Sequence, residues 1–117
     1  MINFEFMEIQ FQKKWDDLIR KLNQRFQDEM DIQKILFVIG LQEVGIQLEK
    51  LNKDQKLDVM HVAICTLLEP YGYYEYDGRD KDNWPHWKVV KSLPRLSDKE
   101  QEQLIKQGII DYLMPLT

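Results

Sequence analysis

Apolar residues return at every third or fourth place along the first quarter of the chain: Phe4, Met7, Phe11, Trp15, Leu18, Leu22 and Phe26. That is the period of a helix with one apolar face, and neither glycine nor proline interrupts it between Met1 and Ile39, so a long first helix is expected. The first ten residues also alternate, as in Ile2, Phe4, Phe6 and then Met7, Ile9, Phe11. A short strand is therefore the alternative over residues 1–10, and the helix is preferred.

Asp31 is placed to cap a second helix by accepting from amides that lack partners at its start. From Ile32 to Leu51 two apolar stripes recur, Ile32, Ile35, Leu36 and Ile39 on one side and Phe37, Leu41, Val44, Leu48 and Leu51 on another. A helix apolar around so much of its circumference belongs inside a bundle or against a second copy of itself. Gly40 and Gly45 fall within this stretch, each costing about 1 kcal/mol of helix propensity relative to alanine. They read as close helix packing or a bend.

Asn52 with Gln55 forms a capping box for a third helix through "KLDVMHVAICTLLE", again apolar nearly all round. It should stop at Glu69, because Pro70 disfavours helical backbone in the residue before it. Ser97 with Glu100 is the clearest helix start in the chain. The last helix would turn Leu104, Ile105, Ile109, Tyr112 and Leu113 inward and end at Pro115.

Residues 70–96 carry no long helical pattern. "YYEY" and "HWKVV" are rich in aromatic and β-branched residues, and "DGRDKDN" between them is turn chemistry, so a small hairpin is expected. A lone two-stranded hairpin is marginal in water, so its aromatics must pack on the helices. The fold expected is mainly α: a compact four-helix domain over residues 1–117, with an aromatic-rich irregular or small β-hairpin excursion between helices three and four. With so much apolar surface on the second and third helices, a homodimer is favoured over a monomer.

Composition narrows the function. A chain of 117 residues has surface enough to bury one core rather than two. A net charge of −4 argues against a nucleic-acid partner, which needs a concentrated basic face. Lys13, Lys14, Arg20, Lys21 and Arg25 do cluster, but Asp16 and Asp17 precede Arg20 and Lys21 by four residues, the spacing of helical ion pairs. The longest apolar run, "ILFVIGL", is too short to cross a bilayer, and no secretory signal is expected. The single cysteine, Cys65, excludes an intrachain disulfide and suits a reducing compartment, so the expected location is cytoplasmic.

Four constellations carry candidate chemistry. Asp58, His61, Cys65 and Glu69 share a helix face and are all metal-binding types, but only one Asp-x-x-His occurs where a di-iron bundle needs more. No metal and no cofactor is expected. Asp77, Asp80, Asp82 and Asn83 suggest a calcium loop, yet counting from Asp77 the sixth residue is Asp82 rather than glycine and the twelfth is Lys88 rather than glutamate. His86, between aromatic residues and near aspartates, has the surroundings of a tuned acid or base. No nucleophile accompanies it: Ser92 and Ser97 sit in no elbow motif, and Thr66 and Cys65 lie mid-helix.

The fourth constellation is recognition. Residues 71–87 hold four of the five tyrosines, two of the three tryptophans and one of the two histidines. Such residues give large contact area at low entropic cost, the property of interface hot spots. The residues expected to bind are Tyr74, Tyr76, Arg79, Trp84, His86 and Trp87, in a cytoplasmic interaction or regulatory module with a protein partner or a second copy. The alternative is a small-molecule binding protein or minor enzyme with Asp77, Asp80, Asp82 and His86 around an aromatic pocket.

Overall fold

In the computed structural model, which describes residues 4–116, the chain runs α1 (Phe4–Phe26), α2 (Ile32–Val44) and α3 (Lys53–Leu68), followed by a 3-10 turn (Glu69–Tyr71). The strands β1 (Tyr74–Arg79) and β2 (Pro85–Val89) come next, then α4 (Asp98–Leu113) and a closing 3-10 turn (Met114–Leu116). The fold is thus mainly α, with four helices and a small antiparallel hairpin between the third and fourth. Residues 4–10 are helical, as preferred over a strand, while residues 1–3 lie outside the described part.

Local chemistry sets most of the boundaries. After α1, Gln27 turns the chain with a left-handed backbone at φ 52°, and the Asn23 side chain accepts from the Met30 amide at 2.7 Å. Asp31 then caps α2 by accepting from the Lys34 amide at 2.8 Å. Both expected capping boxes are closed on both sides, Asn52 with Gln55 and Ser97 with Glu100. The α-helix before Pro70 ends at Leu68, and the proline sits in the 3-10 turn.

One boundary differs from the sequence expectation. The apolar stripes predict a helix to Leu51, but α2 stops at Val44. Gly45 takes a left-handed backbone at φ 67° and gives its amide to the Leu41 carbonyl at 3.1 Å, the geometry of a helix C-cap rather than a bend. Gly40 fulfils the close-packing expectation, since a Cβ there would lie 2.1 Å from the Val59 carbonyl oxygen. The backbones of α2 and α3 therefore meet directly at this crossing.

All four helices contribute to one buried cluster. It contains Trp15, Leu18 and Leu22 of α1, Ile35, Leu36 and Ile39 of α2, Ala63 and Leu67 of α3, and Ile109 and Ile110 of α4. No polar or charged residue is buried among the described residues. The surplus apolar surface was expected on α2 and α3; of the large apolar residues there, only Leu57 is exposed. The surplus sits instead at the start of α1, where Phe4, Met7 and Ile9 are 73%, 60% and 64% exposed. Among the described residues no helix is long and apolar enough to cross a membrane.

Candidate functional site

The hairpin pairs Tyr74 with Val89, Glu75 with Lys88 and Tyr76 with Trp87, then shifts register before Arg79 meets Pro85. Gly78 makes that shift possible with φ 88°, a conformation that a side chain would resist. Tyr76 and Trp87, opposite one another, meet edge to face at 5.4 Å between ring centres.

Asp80 organises the turn. One carboxyl oxygen accepts from the amides of Asp82 at 2.8 Å and Trp84 at 3.0 Å, and the other lies 2.7 Å from His86 Nε2. The His86 bond first, and the Trp84 amide next, hold the Asp80 carboxyl below its ordinary pKa. The acidic "DGRDKDN" is therefore turn chemistry built around one aspartate.

A second set of bonds ties the hairpin to the helices. Arg79 donates to the carbonyls of Val44 at 2.7 Å, Asn83 at 2.8 Å and Glu43 at 2.9 Å. Two of these acceptors are at the C-terminal end of α2, where carbonyls lack helical partners and favour a cation. Glu69 accepts from the Tyr76 amide at 2.9 Å. At the foot of the hairpin, the Tyr71 hydroxyl donates to Asp111 of α4, and burial together with that carboxylate pushes the phenol pKa up.

Between α3 and the hairpin lies a cleft of ≈ 480 Å³. From α3 come Gln55, Asp58, His61 and Cys65; from the hairpin come Asp80, Asp82, Trp84, Pro85, His86 and Trp87. Constellations that were separate in the sequence thus face one another across one space. Trp87 Nε1 is buried with no hydrogen-bond acceptor. The carboxylates of Asp58 and Asp82 have no hydrogen bond or ion pair among the described residues.

Of the six residues expected to bind, Trp84, His86 and Trp87 line this cleft. Tyr74 is half-buried, with its ring edge-on to His61 at 6.3 Å. Tyr76 is outside the lining and 48% exposed. Arg79 is engaged within the fold, its guanidinium donating to the end of α2 and to the Asn83 carbonyl. Asp77 pairs with Lys88 at 3.3 Å and is likewise not in the lining. The contribution of Gln55, Asp58, His61 and Cys65 to the same site was missed, because nothing local links positions 55–65 to positions 80–87.

No three His, Cys, Asp or Glu side chains among the described residues are grouped to hold a metal ion, so Asp58, His61, Cys65 and Glu69 do not converge as ligands. Burial first, and the charge of Glu69 second, push the Cys65 thiol up to about 11. It stays protonated at neutral pH and is a poor nucleophile. His61 Nε2 lies 3.5 Å from its sulfur. The Thr66 hydroxyl donates to the Val62 carbonyl at 2.8 Å.

A smaller cavity of ≈ 280 Å³ between α1, α2 and α4 is walled mainly by Leu22, Phe26, Ile35, Val38, Ile39 and Leu113, with Arg25 and Gln42 as its polar members. Comparison with protein families, with characterised proteins and with solved structures finds no match for this chain.

Proposed function

We propose that the protein is a cytoplasmic interaction or regulatory module whose cleft between α3 and the hairpin receives a cationic side chain from a partner polypeptide. The observation that carries the reading is the pairing of two unengaged carboxylates, Asp58 and Asp82, with the indole walls of Trp84 and Trp87 in one space. A guanidinium or ammonium group gains from both, by ion pairing and by contact with the aromatic face. The long apolar stem of arginine or lysine suits the rest of the lining.

The second reading is a free small amine. It draws on the size of the cleft, which lies within the range of small-molecule pockets.

Titration with N-acetyl-arginine amide, N-acetyl-leucine amide and a simple alkylamine, followed by tryptophan fluorescence, tests the proposal. The arginine probe should bind saturably and the leucine probe should not. The double variant Asp58→Asn/Asp82→Asn should weaken binding by roughly 10-fold or more, and added salt should weaken the wild type. Preference for the bare alkylamine supports the second reading. Binding of no cationic probe, or binding indifferent to the double variant, removes both.

A further inference from the structure

We propose that the groove between the N-terminal halves of α1 and α4, remote from the cleft, is where a second copy of this chain docks to form a two-fold dimer. The groove measures ≈ 810 Å³; Phe4, Met7, Ile9 and Phe11 line it from α1 and Leu104 from α4. The first fully buried residue of α1 is Trp15; of residues 4–14, half-buried Phe11 packs against the core while Phe4, Met7 and Ile9 are exposed. These turns continue the helix that Trp15, Leu18 and Leu22 anchor, and leave their own apolar side largely in water. Covering that side would stabilise them.

The area fits a second copy. With large side chains offering roughly 150–250 Å² each, the exposed fractions of Phe4, Met7 and Ile9 leave on the order of 400 Å² of apolar surface in water. A standard interface buries about 800 Å² per partner, of which about 65% is apolar in homodimers. Phe11 and Leu104, both half-buried, bring the groove close to that requirement.

Charge selects the occupant. The α1 wall carries Glu5 and Glu8, and the α4 wall carries Lys99 and Lys106, with Glu102 the one acid on that side. Lys106 also lies over the Trp15 ring at 5.1 Å. Glu5, Glu8 and Lys99 form no ion pair among the described residues. A two-fold axis along the groove sets the acidic wall of each copy against the basic wall of the other. The surface is then self-complementary, as a two-fold interface requires.

Sedimentation velocity between about 1 and 100 μM tests this, a range that spans dimer affinities readable by mass action. The wild type should dimerise. Met7→Glu should weaken the dimer by at least roughly 10-fold, with an unchanged circular-dichroism melt at low concentration showing that the exposed site leaves the fold intact. Glu8→Lys and Lys99→Glu should each be impaired alone, while an equimolar mixture of the two should form a heterodimer. A wild type that remains monomeric at about 100 μM overturns the proposal and leaves the groove to a different protein. A dimer that survives Met7→Glu with unchanged affinity overturns it as well.

Discussion

Residues 74–89 form no helix, yet they are tied to α2, to α3 and to the 3-10 turn beside it; residues 4–14 are continuous helix, yet none of them is fully buried. The contrast follows from where each backbone finds its hydrogen bonds. Within a helix each amide finds its acceptor four residues back, and only the ends look outward for partners. A two-stranded segment pairs its backbone only in part and must be fastened by other contacts; here the Arg79 guanidinium does so, reaching carbonyls 35 and 36 residues away at the end of α2. Regular structure therefore says little about how firmly a segment is anchored.

The most disruptive change falls at the crossing of α2 and α3, the two helices to which the hairpin is tied. Gly40→Ala should cost about 3 kcal/mol in urea denaturation, because its Cβ would overlap the Val59 carbonyl. Amide exchange should quicken in β1 and β2 and hardly change in the first turns of α1. Next is Arg79→Ala, which removes three charge-assisted bonds from the hairpin and should cost about 2 kcal/mol. Its exchange signature should be confined to residues 74–89 and the end of α2, and Arg79→Lys should recover only part of the loss, since lysine lacks the planar fork. Uniform exchange across the molecule would contradict the assignment of Arg79 as a clamp.

Acid should loosen the same region by a smaller amount. Asp80 has a lowered pKa in the folded chain, so its bonds are at full strength above the ordinary carboxylate value of 3.8 and are lost as pH falls through the lowered one. NMR of the Asp82 and Trp84 amides should show protection declining in that window, and Asp80→Asn should abolish the pH dependence. The smallest effect is expected at the other end of the comparison. Met7→Ser should change stability by no more than about 0.5 kcal/mol where the chain is monomeric. A larger loss there would mean that the start of α1 supports the monomer fold.

Legibility in the sequence divides along similar lines. The caps at Asp31, Asn52 and Ser97, the stop before Pro70 and the hairpin around "DGRDKDN" were all readable, because each is decided by residues a few positions apart. The end of α2 was not read correctly. Leu48 and Leu51 continue the helical period, but Gly45 at a C-cap position was an available signal that outweighed it. Two features had no local signal. One is the approach of His61 to the Asp80–His86 turn across a shared cleft; the other is the exposure of Phe4, Met7 and Ile9, whose composition alone reads as core.

The backbone contact at Gly40 has a consequence in time as well as in space. α2 and α3 are joined only by residues 45–52, so their pairing closes a short loop at small entropic cost, before any surface that waits for α4. During synthesis this pair can assemble while Ile109 and Ile110 are still in the ribosome. Until they emerge, Trp15, Leu18 and Leu22 lack the part of their cover that α4 supplies.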